Sequence, residues 1–147
     1  LKGAIYGYKF YGEASKRRLL ADLLAERWQR CDVAPSKLLV TAIPPHERGD
    51  HRLGRIAHRF AWQVEARLDL DLLAWRAPTA KQHALQSRHA RLANVRGAFV
   101  PAGTHRLADA DTVVVLDDLL TTGATMREAL RAIRVEGRFG GRLVGLA

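Results

Sequence analysis

The stretch VVVLDDLLTTGAT, residues Val113 to Thr125, changes character twice within thirteen positions. Four apolar residues are followed by two adjacent carboxylates, and then by a turn that is rich in threonine and contains a glycine. A continuous apolar run predicts a strand that is buried on both faces of a parallel sheet. Carboxylates beside such a run are costly to bury, so we expect Asp117 and Asp118 to lie at the end of the strand. Ligands of parallel sheets bind beyond the carboxyl ends of the strands.

The turn after the aspartates has the composition of a phosphate cradle. Gly123 permits close approach of the backbone, and the N-terminus of a following helix supplies N–H groups that bind anions. Thr121, Thr122 and Thr125 add hydroxyls, whereas the Lys of a P-loop is absent from this motif. A phosphate in the cradle, beside carboxylates that accept from sugar hydroxyls, fits a ribose 5-phosphate.

The rest of the chain alternates between the two periodicities of regular structure. Apolar residues at helical spacing predict three helices, and short apolar runs predict strands. The predicted helices cover residues 12–30, 53–68 and 126–133, and the predicted strands cover residues 37–43, 70–75, 95–101, 113–116 and 142–147. Residues 76–94 are basic and lack periodicity, which predicts a long loop, and long loops in compact domains are usually functional or disordered. This pattern predicts a single α/β domain over residues 1–147, with a parallel sheet flanked by helices.

The composition limits the kinds of partner and the cellular compartment that we expect. The 147 residues carry a net charge of +9, which favours anionic partners such as nucleic acid, phosphorylated metabolites or an acidic protein. The single cysteine, Cys31, excludes both a disulfide within this chain and a cysteine-rich zinc site. This low cysteine content favours a cytoplasmic protein. No membrane span is expected, because no apolar run approaches about 18 residues. The first residue is Leu1, so we interpret the chain as a fragment that lacks its N-terminal segment.

Two resemblances make these expectations specific. Residues 113–125 resemble the phosphoribosyl pyrophosphate signature of type I phosphoribosyltransferases. The segments YKFYGE, AIPPHERG and WRAPTAKQHALQSRHARLANVRGAF are similar to corresponding segments of the ComF competence family. The last of them resembles the family's R-x-x-T-x-x-Q-x-x-L and R-x-x-N-V-x-G-A-F patterns. The resemblance covers nearly the whole chain, without the family's N-terminal zinc ribbon, and implies a Rossmann-like phosphoribosyltransferase fold.

The resemblance also implies roles for individual residues. Asp117 and Asp118 would bind the ribose hydroxyls and would hold Mg²⁺ mainly through the substrate. The residues implied in catalysis are Asp117, Asp118, Arg76, Lys81 and Arg91. The residues implied in binding phosphoribosyl pyrophosphate are Asp117, Asp118, Leu119, Thr121, Thr122, Gly123, Ala124 and Thr125, with Pro44, Pro45, Arg48 and Gly49 towards the diphosphate.

Two classes of function stay open at this point. The first is an enzyme that transfers the phosphoribosyl group, with Mg²⁺, to an unknown acceptor. The second is a non-catalytic module, either a sensor of phosphoribosyl pyrophosphate or an adaptor in DNA uptake. A homodimer is also open. Arg127, Arg131, Arg134 and Arg138 recur at helical spacing, which favours a solvated helix face over a patch for DNA phosphates.

Overall fold

Apolar runs form the strands of the protein, and amphipathic segments form its helices. The computed structural model describes residues 14–45, 52–76, 95–118 and 122–147. The helices are α1 (Ala14–Gln29), α2 (Arg52–Gln63) and α3 (Ala124–Arg131), with a 3₁₀ turn at Thr104–Leu107 and a π-helical turn at Ala132–Glu136 that continues α3. The strands are β1 (Leu38–Ala42), β2 (Arg67–Leu68), β3 (Leu73–Trp75), β4 (Phe99–Pro101), β5 (Thr112–Leu116) and β6 (Arg142–Leu146).

The main sheet is parallel and has the strand order β2-β1-β5-β6. Every residue of β1 and β5 is buried, as expected for central strands covered on both faces. Their register pairs Leu38 with Thr112 and Ala42 with Leu116. The predicted α/β class with a helix-flanked parallel sheet is therefore confirmed, and the strand order is compatible with a Rossmann-like fold.

The helices cover opposite faces of this sheet. Side chains of α1 and α2 pack on the face that contains Val40 and Val114. Side chains of α3 and of the small β3–β4 sheet pack on the face that contains Val113 and Val115. The α2 crossover leads from β1 outwards to β2, and the α3 crossover leads from β5 outwards to β6 in the opposite direction. The point where the winding reverses lies between β1 and β5, and such a point is where open α/β sheets bind ligands.

The second predicted helix is shorter than expected. The sequence predicted a helix to Leu68, but α2 ends at Gln63. Glu65 has a left-handed φ of 53°, and the Ala66 N–H donates to the Ala61 carbonyl at 2.9 Å. This geometry closes a helix and redirects the chain. Residues 67–68 then pair in parallel with β1 as the edge strand β2, which the sequence did not predict.

Two of the predicted strands join a different sheet. The runs at residues 70–75 and 95–101 shorten to β3 and β4, which pair antiparallel to each other. We call this pair the ribbon. Its Phe99 is fully buried among side chains from α3 and the main sheet. The ribbon therefore packs on the α3 face of the main sheet, whereas the sequence predicted that its strands would join the parallel sheet.

None of the helices in the described ranges has the length and apolar character that a membrane span requires.

Candidate functional site

The carboxyl ends of β1 and β5 lie side by side at the switch point. The Ile43 N–H donates to the Leu116 carbonyl at 2.8 Å, and the Asp117 N–H donates to the Leu146 carbonyl at 3.0 Å. These are the last ladder contacts at this edge, so the segments after β1 and after β5 leave the sheet next to each other. We call the region beyond the carboxyl ends of these two strands the crevice. Pro44 and Pro45 follow β1 there, and Asp117 and Asp118 follow β5.

Asp117 and Asp118 lie where the sequence predicted them, directly after β5. Leu116 is fully buried, whereas both aspartates are half-buried, so the chain passes from the core to the edge within one residue. The Asp117 Oδ1 atom accepts a hydrogen bond from the Asp118 N–H at 2.8 Å. This bond ties the Asp117 carboxylate to the backbone of the next residue.

The sequence predicts an anion cradle at the start of α3, and the structure describes the helical part of this motif from Thr122 onwards. Gly123 is the N-cap residue and has φ 71° and ψ 8°, in the left-handed region that glycine adopts at least cost. The Thr122 hydroxyl accepts from the Ala124 N–H at 3.3 Å, and the Arg127 guanidinium donates to the Thr122 carbonyl at 3.1 Å. Thr125 lies in the first turn and is half-buried. The first turn of a helix presents N–H groups and the positive end of the helix dipole. Leu119 and Thr121, also predicted for this cradle, lie outside the described residues.

The β1 side of the crevice contains two prolines in succession. Pro44 is half-buried and Pro45 is exposed. The Trp75 indole N–H, which belongs to the ribbon, donates to the Pro44 carbonyl at 2.9 Å. Arg48 and Gly49, which were predicted to contact the diphosphate, lie outside the described part of the chain.

Arg76 belongs to a charge network at the other end of α3. Its guanidinium donates to the Gly97 carbonyl at 2.8 Å and to Glu136 at 2.7 Å. Glu136 also accepts from Arg131 at 2.7 Å. Glu136 follows Gly123 by thirteen residues of helix, about 20 Å along the axis, so the bond between Arg76 and Glu136 lies far from the start of α3. The structure thus gives Arg76 a bracing contact, and its role in catalysis stays a prediction, as do those of Lys81 and Arg91 outside the described residues.

Two groups of this network, Glu136 and Arg131, have shifted pKa values. The hydrogen bond from the Arg131 guanidinium, and then the charge of Arg76, hold the pKa of Glu136 below its usual range. Arg131 donates hydrogen bonds to Glu128 and Glu136, and these bonds raise its pKa above its already high ordinary value. Glu136 and Arg131 are therefore both ionised at neutral pH.

The arginines of α3 are largely engaged within the protein. Arg131 binds Glu128 and Glu136, Arg134 donates to the Phe139 carbonyl at 2.7 Å, and Arg127 donates to Thr122. These bonds lie within α3 and its continuation, except that of Arg134 to the following loop, and Arg127, Arg134 and Arg138 are exposed, as the predicted solvated face requires. The sequence periodicity did not distinguish such bonds from a solvated face or a DNA-binding patch.

Sequence reasoning did not single out two residues that shape this region. Trp75 anchors Pro44, and Glu128 accepts from the Gly97 N–H at 2.7 Å. A tryptophan at the end of an apolar run is a general signal, because a buried indole N–H needs an acceptor. Glu128 had no comparable signal, since it lies beside the apolar stripe of α3.

The donor set of the crevice fits Mg²⁺. The described residues contain no group of three or more His, Cys, Asp or Glu side chains that could hold a metal ion. Mg²⁺ takes oxygen ligands, and it commonly binds through one or two carboxylates while waters and substrate phosphates complete its shell. Asp117 and Asp118 would supply those carboxylates.

Comparison of the chain with protein-family models, with curated proteins and with solved structures found no match in any of the three.

Proposed function

We propose that the protein binds phosphoribosyl pyrophosphate with Mg²⁺ in the crevice and transfers the phosphoribosyl group to an acceptor. One observation carries the proposal: a strand, two aspartates and a glycine-capped helix meet at the switch point of a doubly wound sheet. The resemblance of residues 113–125 to the phosphoribosyl pyrophosphate signature supports the choice of ligand.

Each part of the crevice has the chemistry to bind one part of phosphoribosyl pyrophosphate. The 5′-phosphate would bind at the N-terminus of α3, where Gly123 lets the backbone approach and the helix dipole favours negative charge. Carboxylates repel a phosphate but accept hydrogen bonds from hydroxyls. Asp117 and Asp118 would therefore take the ribose hydroxyls, and the diphosphate would extend towards the segment after β1.

The reaction would exchange one bond at the anomeric carbon for another. The bond from that carbon to the diphosphate oxygen breaks, the nucleophilic atom of the acceptor forms the new bond, and the proton of the acceptor goes to solvent. Positive charge develops on the ribose, so carboxylates beside the sugar stabilise the transition state. Mg²⁺ on the diphosphate would neutralise the leaving group.

Calorimetric titration with phosphoribosyl pyrophosphate, with and without Mg²⁺, tests the proposal. We expect Mg²⁺-dependent binding by the wild-type protein and at least tenfold weaker binding, about 1.4 kcal/mol, by Asp117→Asn/Asp118→Asn. The asparagine at position 117 keeps an oxygen that can accept from the residue 118 N–H, so this hydrogen bond is preserved while the charge is removed.

The matched control is Asp32→Asn/Asp109→Asn, which removes the same charge from two exposed aspartates that precede β1 and β5, at the opposite edge of the sheet. It should bind like wild type. A folded wild-type protein that does not bind, or equal weakening in both double variants, would contradict the proposal. Binding without diphosphate release in the presence of any nucleobase or other acceptor would instead favour a sensor of the same ligand.

A further inference from the structure

The indole of Trp75 connects the ribbon to the crevice. Its Nε1–H donates to the carbonyl of Pro44 at 2.9 Å. Pro44 is the second residue after β1 ends at Ala42, and it starts the segment that borders the crevice. The bond joins positions that are 31 residues apart in the sequence, so it is a tertiary contact and not part of a local turn.

The ribbon holds this indole firmly. The rings of Trp75 and Phe99 have centroids 4.4 Å apart at an interplanar angle of 39°, and Phe99 is fully buried. Both strands of the ribbon are also tied to α3 and its continuation: Arg76 donates to Glu136 at 2.7 Å, and the Gly97 N–H donates to Glu128 at 2.7 Å. The donor is therefore anchored to the core, and Pro44 is the group whose position it determines.

The polar groups of the segment after β1 make this contact chemically important. Pro44 and Pro45 have no N–H, and the N–H of Ile43 is already bonded to the Leu116 carbonyl. Up to Pro45, the segment therefore offers an anion no backbone donor that is not already used. A carbonyl exposes negative charge, so a Pro44 carbonyl turned into the crevice would repel a diphosphate.

We infer that Trp75 is a positioning residue for the diphosphate end of the crevice. It commits the Pro44 carbonyl to the ribbon and thereby keeps this negative group from turning towards a bound diphosphate. This inference rests on the proposed function, and it assigns the two ends of the ligand to different parts of the fold. Trp75 acts on the diphosphate end, whereas the cradle at Gly123 acts on the 5′-phosphate end.

The test compares Trp75→Phe with Trp62→Phe. The first change removes the N–H and keeps an aromatic ring against Phe99. The second is the same chemical change at a side chain that is 75% exposed on α2. Each protein is titrated, in the presence of Mg²⁺, with inorganic diphosphate, with ribose 5-phosphate and with phosphoribosyl pyrophosphate.

We expect Trp75→Phe to raise the Kd for diphosphate and for phosphoribosyl pyrophosphate five- to tenfold, which is the effect of one hydrogen bond. The Kd for ribose 5-phosphate should stay within twofold of wild type, and Trp62→Phe should match wild type for all three ligands. Phe99→Leu, which keeps the N–H but loosens its support, should shift diphosphate binding in the same direction by a smaller factor.

The experiment distinguishes a failure of the role inferred for Trp75 from a failure of the proposed function. Unchanged diphosphate binding by Trp75→Phe would overturn the role of Trp75 and leave the proposed function intact. An equal loss for all three ligands, with a lowered Tm, would also overturn it, because that pattern marks a general effect on folding. If Trp75→Phe does not fold, equal shifts for all ligands in Phe99→Leu would have the same meaning. A folded wild-type protein that binds none of the three would remove both proposals.

Discussion

Glu128 is a carboxylate with only 7% of its surface exposed, and its two oxygens serve two different elements. They accept from the Arg131 guanidinium at 2.7 to 2.9 Å and from the Gly97 N–H at 2.7 Å. A buried carboxylate is costly unless it is paired and hydrogen-bonded, and these contacts meet that requirement. At the scale of a residue, Glu128 therefore joins the start of β4 to the middle of α3.

Glu128→Gln should lower the free energy of unfolding by about 2 kcal/mol. The amide keeps one acceptor, but its NH₂ group faces the Arg131 guanidinium, which loses one of its two charge partners and keeps Glu136. Urea denaturation followed by circular dichroism measures the effect. Glu26→Gln is the control, since Glu26 forms an exposed pair with Arg30 one helical turn away, worth less than about 0.5 kcal/mol. Equal losses in the two variants would contradict the bracing role of Glu128.

At the scale of elements, β6 is placed by two close backbone approaches. Gly141 precedes the strand, and a Cβ there would lie 2.3 Å from the Asp111 carbonyl oxygen. Gly145 lies within the strand, and a Cβ there would lie 2.7 Å from the Met126 side chain of α3. The first neighbour is rigid backbone, whereas the second is a flexible side chain. The two glycines thus have different reasons to be small.

Gly141→Ala should destabilise the protein by about 2 kcal/mol, because the backbone at Asp111 must move to admit the methyl group. Gly145→Ala should cost less than about 1 kcal/mol, because a methionine side chain can change rotamer. Thermal or urea denaturation of the two variants checks the order of the effects. A larger loss for Gly145→Ala would show that Met126 cannot adapt.

Among the elements, those with a local signal in the sequence could be predicted, and those that depend on tertiary contacts could not. The strands β1 and β5 and the helix α3 were predicted because continuous apolar runs and helical periodicity are local signals. The two residues of β2 are too few for any periodicity, and β3 and β4 owe their pairing to contacts of Trp75 and Phe99 across the fold. Those contacts depend on tertiary packing, which no local pattern contains.

The residues of the candidate site likewise include some that the sequence could predict and some that it could not. Asp117, Asp118 and Gly123 were predictable because one contiguous motif carries them. The contact between Trp75 and Pro44 was not predictable, because it exists only once the ribbon folds over the sheet. The bond of Arg76 to Glu136 joins positions 60 residues apart and was missed for the same reason.

At the scale of the whole molecule, two carboxyls link stability to pH. Asp111 accepts from the Ser36 hydroxyl at 2.8 Å and from the N–H groups of Ser36 and Lys37, which ties the loop after α1 to the start of β5. The Ser36 hydroxyl is the main cause that lowers the pKa of Asp111, and Arg131 is the main cause that lowers the pKa of Glu136. A lowered carboxyl pKa adds stability above the unfolded value near 4, and this stability is lost as pH falls through the folded value.

The free energy of unfolding should therefore decline below about pH 4.5. Asp111→Asn/Glu136→Gln should be less stable than wild type at pH 7, and its decline between about pH 5 and pH 3 should be shallower. Urea denaturation at a series of pH values measures both slopes. Asp109→Asn/Glu65→Gln, which changes two exposed carboxyls, is the control. Parallel curves for wild type and the first variant would exclude these two groups as the source of the pH dependence.

The strand order also has a kinetic consequence. Leu38 pairs with Thr112, 74 positions along the chain, whereas the partners in β1–β2 and β5–β6 are 28 and 30 positions apart. Closing the longer loop costs about 0.8 kcal/mol more in chain entropy than closing either short one. Each βαβ unit can thus assemble by short closures, and the pairing of β1 with β5 is the slow, entropically costly step. The crevice lies beyond the ends of these two strands, so the candidate site forms only when the two halves of the domain join.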